Sequence, residues 1–246
     1  MTTKKPTGVI LYEGKSLFDG KDIIVIATGI NNSSANEKTG AMVQTWILLK
    51  DETVKPHEAI KSGQDASVCG DCMHRPANGG ACYVQVHNAP RSVWAAYHRG
   101  NYPKLSEFDV NPLAGKLVRL GAYGDPAMIP VSVWDEVLKD SVGFTGYTHQ
   151  WKWCDKTISK YVMASADSVQ DLEDAQALGY RTFRVRTANE PLAPKESVCP
   201  ASAEGGKKLN CATCKACNGT STNRKGSIAI IVHGAKAKRF TSQVAI

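Results

Sequence analysis

Seven of the eight cysteines fall into two groups whose spacing suits metal chemistry. The first is Cys69-Gly-Asp-Cys72-Met-His74, joined across a Pro/Gly-rich loop by Cys82. Two thiolates separated by two residues can grip one ion, because the turn between them directs both sulfurs inward. The fourth ligand of a structural zinc site is either His74 or the distant Cys154. Cys82 is expected to open a strand and Cys154 to follow the end of another, which in a parallel barrel favours His74. Unligated thiols or a disulfide are the competing reading.

The second group is Cys211-Ala-Thr-Cys214-Lys-Ala-Cys217 with Cys199-Pro200 upstream. Three thiolates two residues apart, plus a separate Cys-Pro, is the ligand arrangement of a bacterial ferredoxin half-site for a [4Fe–4S] cluster. Zinc also accepts four thiolates, so spacing alone leaves both metals open. The C-x3-C-x2-C signature of radical-SAM enzymes is absent. A fully ligated site of this kind is structural, electron-transferring or redox-sensing.

A third set of residues could act as acid, base or anion holder. Asp125, His149 and Asp167 each follow an expected strand, and Arg186 ends the next one. At a common mouth His149 would serve as acid or base, the carboxylates would orient it and Arg186 would hold an anion. The bland alternatives are a Gly-Asp-Pro turn at Asp125 and simple helix capping near Ser168. Trp151 and Trp153 flank Lys152, an arrangement that serves either base stacking or packing. Phosphate-binding loops, dinucleotide fingerprints and G-x-S-x-G elbows are missing, which counts against nucleotide hydrolysis and serine-hydrolase chemistry.

The elements that must position these groups read as alternating strands and helices. Apolar, β-branched runs predict strands at 23–27, 43–49, 82–86, 117–121, 144–148, 161–164, 182–186 and 228–232, while the first twenty residues read as a weak arm or hairpin. Helices are expected from Ser132 and Ser168, both in capping-box patterns, and over 92–99. After Ser168, Leu172, Ala175 and Leu178 form one apolar face, and Gly179 stops the helix. The pattern predicts a single α/β domain over 1–246, a (β/α)-barrel-like fold, irregular or incomplete, with cysteine-rich metal-binding loops; an open sheet is the alternative. Residues 199–226 form a basic, cysteine-rich insertion within it. Either architecture puts the ligand site beyond the C-terminal ends of the strands.

Composition narrows the function classes. The 246 residues are 42% hydrophobic and 22% charged, values of a globular chain with ample core, which exclude a disordered or collagen-like one. Nothing approaches the roughly 20 apolar residues of a membrane span, and no signal-peptide pattern follows the start, so a cytoplasmic protein with reduced thiols and no membrane partner is expected. The net charge of +7 is carried entirely by the last 47 residues, where eight cations, including Arg224 and Lys225, face the single acid Glu204. Lys207, Lys208 and Lys215 there are candidate nucleic-acid contacts; a solubilising surface, or charge that offsets metal thiolates, explains them equally well.

Asn36-Glu-Lys-Thr-Gly40, Gln44-Thr-Trp46, Cys69-Gly-Asp-Cys72-Met-His74-Arg75, Cys82-Tyr-Val84, Leu120-Gly-Ala-Tyr-Gly-Asp125, Tyr147-Thr-His-Gln-Trp151 and Cys199-Pro-Ala-Ser202 with the cysteine triplet form a specific set. Over residues 23–234 the chain resembles a family of tailed-bacteriophage proteins without established activity. That resemblance implies a virus-encoded protein acting in the host cytoplasm. The sequence therefore points to a metalloprotein with two cysteine-rich sites, zinc at the first and [4Fe–4S] or zinc at the second, acting on or near nucleic acid as a modification enzyme. The alternative is a non-catalytic, metal-stabilised module that binds nucleic acid or a host protein. Oligomeric state is not encoded in any of these signals.

Overall fold

A computed structural model describes residues 6–31, 36–222 and 226–244. Arg224 and Lys225, part of the basic run, lie outside the described residues. Three antiparallel strands come first: β1 (Gly8–Lys15), β2 (Asp22–Thr28) and β3 (Val43–Leu49). Residues 23–27 are all fully buried, as a β-branched run covered on both faces requires. Strand β3 then pairs in parallel with β4 (Leu117–Tyr123), and β4 with β5 (Gly143–Thr145). A second, wholly parallel sheet has the order β6 (Tyr147–Thr148), β7 (Met163–Ala166), β8 (Thr182–Arg186), β10 (Ser227–Ile231) and β9 (Glu196–Val198). The protein is thus a mixed α/β fold with two five-stranded sheets. No ladder joins the outer strands β1 and β9 among the described residues.

Gly146 separates β5 from β6. Its carbonyl still accepts from the Met163 amide, but its own N–H turns to the Cys217 carbonyl, which interrupts the ladder and ties the second cysteine loop to the sheet. A Cβ here would stand 2.8 Å from Val162 and 2.9 Å from Leu120, so close packing demands glycine.

The long crossover from β3 to β4 carries α1 (Pro56–Ser62), α2 (Ala66–Cys69) and α3 (Ala89–His98). Next come α4 (Val131–Leu138) between β4 and β5, and α5 (Val169–Ala177) between β7 and β8. Ser168 caps α5 by accepting from the Asp171 amide at 3.0 Å, and Gly179 (φ +88°) follows its end, as expected. Helix α4 begins two residues early behind Pro130, so Ser132 caps nothing. Residues 82–86 form no strand. The slot beside β4 is filled by β3, and the apolar Val84 and Val86 pack on the core instead. The insertion between β9 and β10 contains α6 (Cys211–Cys214), and α7 (Ala237–Val244) ends the described chain. No helix of the described residues is long and apolar enough to cross a membrane.

Candidate metal centre

Alternation along the parallel strands builds one concave wall. Thr145, Tyr147 and His149 point to the same side, as do Phe183 with Val185, and Ile228, Ile230 with Val232. They line a cavity of about 410 Å³ to which both cysteine groups also contribute. His149 follows β6 and Asp167 follows β7, so the chemistry sits where parallel strands end.

His74 Nε2 lies 3.0 Å from Asp167 Oδ1, and His149 Nε2 lies 3.4 Å from Oδ2. The His74 contact lacks hydrogen-bond alignment: both of its nitrogens and Asp167 Oδ1 are buried without a hydrogen-bond partner. Two donors each about 2.1 Å from one ion stand roughly 3.0 to 3.4 Å apart at octahedral to tetrahedral angles, so these separations suit a shared cation. The two rings meet edge to face at 5.4 Å, and Phe240 closes the far side of His74 at 5.5 Å.

Electrostatics couples this set to Cys72. Burial would lower the His149 pKa, but the nearby Cys72 sulfur and the Asp167 carboxylate raise it well above the ordinary imidazole range. Burial likewise opposes ionisation of Asp167, yet the two histidines outweigh it and hold the carboxyl well below the usual range. Cys69 and Cys82 are pushed up, chiefly by burial.

The knuckle is held from behind by groups that carry no metal chemistry. Gln150 is fully buried; its Nε2 donates to the Cys69 carbonyl (3.0 Å), and its Oε1 accepts from the Asp71 amide (3.3 Å) and Trp153 Nε1 (3.0 Å). Gly70 (φ +60°) has no room for a Cβ, which would stand 2.3 Å from that Oε1. Arg75 pairs with Asp65 at 2.7 Å and donates to the Gly63 and Gly70 carbonyls. Neither Gln150 nor Arg75 was singled out by spacing; each lies inside a motif whose chemistry belongs to its neighbours.

Several expected site residues go elsewhere. Asp125 accepts from the Ala127 amide (2.9 Å) and the His149 amide (2.9 Å), so it positions His149 through the backbone. Arg186 does not line the cavity. On β8 the inward positions are Phe183 and Val185, so Arg184 and Arg186 face the other way, toward Glu196 and Glu204 respectively. The mouth expected to unite Asp125, His149 and Arg186 therefore loses its arginine. Trp151 is buried and donates to the Ser165 carbonyl, a packing role, while Trp153 is 42% exposed beside Phe18. Cys154 is buried against the Tyr180 hydroxyl at 3.5 Å and does not line the cavity.

Cys199, Cys211, Cys214 and Cys217 line the cavity together, and each of Cys199, Cys211 and Cys214 raises the pKa of Cys217. Burial is the larger cause and takes that thiol up to about 12. Among the described residues, His74, His149 and Asp167 are the only set of three ligand atoms within 4.8 Å of one another. Neither the four sulfurs here nor Cys69, Cys72, His74 and Cys82 meet that spacing; His74 faces Asp167 instead. Lys207 and Lys208 are exposed on the insertion, and Lys215 reaches the cavity wall from the end of α6. The chain matches no protein-family model, no curated protein and no solved structure.

Proposed function

We propose that the protein is a metal-dependent enzyme whose reaction chamber is this cavity. A divalent cation is held by His74, His149 and Asp167, with the Cys72 thiol beside it. The observation that carries the reading is the convergence of two imidazoles on the two oxygens of one buried carboxylate, at ligand-like separations, with the His74 contact out of hydrogen-bond alignment. The donor set fits zinc or ferrous iron. Such an ion supplies Lewis acidity toward a substrate oxygen or a bound water.

The chain's own groups complete the chamber. Asp125 fixes the His149 backbone, and the Gln150 and Arg75 hydrogen bonds fix the turn that carries Cys72. Tyr123 presents a buried hydroxyl with no partner among the described residues, kept protonated because burial raises its pKa well above the ordinary value. It can donate one hydrogen bond to a substrate. The four cysteines of the other wall hold a second metal group. Zinc at about 2.3 Å from each sulfur needs sulfurs roughly 3.8 Å apart. The triplet spacing together with the separate Cys199-Pro200 is the ligand arrangement of a [4Fe–4S] half-site, which puts the cluster ahead of zinc in this reading. The strand order, two sheets continuing through Gly146, supports an incomplete barrel as the scaffold.

Metal analysis of anaerobically purified protein tests this reading. We expect one zinc or iron per chain that is lost on His149→Ala, together with additional iron and labile sulfide that survive that substitution. Metal content unchanged by His149→Ala would overturn the first centre, and stoichiometric zinc without sulfide would reassign the second.

A further inference from the structure

Five arginines among the described residues are buried or half-buried: Arg75 pairs with Asp65, Arg184 with Glu196 and Arg186 with Glu204, while Arg181 donates to Asn218 and to the Gly219 and Gly226 carbonyls. Arg119 differs. It is half-buried on β4, lines the cavity, and no carboxylate pairs with it among the described residues. A cation in a mostly apolar chamber is costly without a counter-charge, so its position marks where an anion belongs.

The strand ladder fixes where that anion would sit relative to the metal centre. Arg119 pairs with Thr145, and His149 lies four residues further along the same inward face. At ~3.3 Å per strand residue this is about 13 Å between backbones. Between the two ends the wall consists of Tyr147, Phe183, Val185, Ile228, Ile230 and Val232, with aromatic rings Tyr147 and Phe183 in contact at 4.6 Å. The volume of about 410 Å³ is that of a small-molecule site. A second cation, Lys38, stands at the same wall with its Nζ 3.2 Å from His233 Nε2.

We propose that the cavity binds a small organic anion lengthwise, its acidic head on the Arg119 guanidinium, its apolar or aromatic body against β8 and β10, and its far end at the His74–His149–Asp167 centre. This deepens the enzyme reading above by naming the substrate class of the same chamber. The competing use of Arg119 is as counter-charge to thiolates, because it stands near enough to Cys211 to oppose the burial that raises that thiol.

Two dyes with one aromatic body separate these uses: anilinonaphthalene sulfonate, which carries an anionic head, and phenylnaphthylamine, which carries none. Fluorescence titration of the whole protein should give saturable binding of both. Arg119→Met should weaken the sulfonate about tenfold or more and leave the neutral dye within about twofold, with Arg119→Lys intermediate. In the wild type, added salt should weaken the sulfonate alone, a readout that needs no substitution. Equal loss of both dyes, or of neither, would overturn the proposal. So would loss of metal from the four-cysteine site in Arg119→Met with sulfonate affinity unchanged. Neither dye needs a metal, so an Arg119-dependent difference in protein lacking the first metal would uphold this inference while the enzyme reading failed.

Discussion

The two walls of the cavity use cysteine in opposite ways. On the first, the thiols share space with imidazole and carboxylate, and the loop is clamped by buried side chains from other elements: Gln150 on the Cys69 carbonyl, Arg75 on Gly63 and Gly70. On the second, sulfur is the sole donor type, and caps within the loop add to its ties to the sheet. Asn210 accepts from the Thr213 amide at 3.0 Å, and Ser202 bonds the Cys199 carbonyl. Its ties to the rest of the fold combine backbone bonds, from Gly146 to Cys217 and from Cys211 to Lys38, with side-chain ones from Arg181 to Asn218 and Gly219 and from Arg186 to Glu204. Mixed nitrogen and oxygen donors on a rigid mount suit a reactive ion with an open position, and an all-sulfur set suits a closed, soft site. The difference teaches that the two proposed centres would select different metals, which need not compete for one cavity.

The largest effect should come from removing one centre at a time. Asp167→Asn keeps the shape but removes the charge between the imidazoles, and should empty the first centre by roughly a hundredfold or more in affinity, leaving the second loaded. Cys214→Ser should do the reverse. Metal and sulfide content per chain reads both. If either substitution strips both centres, the walls form one unit and the contrast is wrong.

A smaller effect tests the mount. Gln150→Ala leaves a buried carbonyl, an amide and an indole N–H without partners, which should cost about 2–4 kcal/mol in denaturant unfolding. It should also loosen metal at the first centre by about 10- to 100-fold while sparing the second. Chelator competition on the two single-centre variants measures this. Equal weakening at both would mean that Gln150 supports the fold as a whole.

Much of the scaffold is legible in sequence because burial on both faces leaves an unmistakable apolar run, as in β2, β3 and β10, and because Ser168 and Gly179 bracket α5 by local chemistry. Residues 82–86 have the same local pattern but no free strand to pair with, and pairing is a non-local property. The site was legible as residue types but not as a set. His74 was grouped with its sequence neighbours, whereas its partner Asp167 arrives from the end of β7, brought there by sheet order. Arg186 ends a strand, which in sequence points it to the mouth; the alternation begun at Phe183 turns it to the other face.

The smallest effect, a difference in slope, separates the donor sets by their protons. Metal binding displaces any proton that a ligand still carries, so affinity rises with pH while that ligand is protonated. At the first centre Asp167 is already ionised, held low by the histidines, whereas His149 holds its proton above the ordinary imidazole range. One proton must leave it, and affinity should rise about tenfold per pH unit until the imidazole has lost it. At the second, burial raises both Cys211 and Cys217, the latter to about 12, so both keep their protons through neutrality. Two protons at least must leave, and affinity should rise about a hundredfold or more per unit. Zinc titrations of Cys214→Ser for the first centre and Asp167→Asn for the second, between about pH 6 and 8, give the two slopes. Cys214→Ser leaves Cys211 and Cys217 in place, so a steep slope in that variant would place its zinc among the thiols. A shallow slope in Asp167→Asn would mean that the buried thiols are ionised before metal arrives, with Arg119 and Lys38 as the cations that favour the Cys211 thiolate.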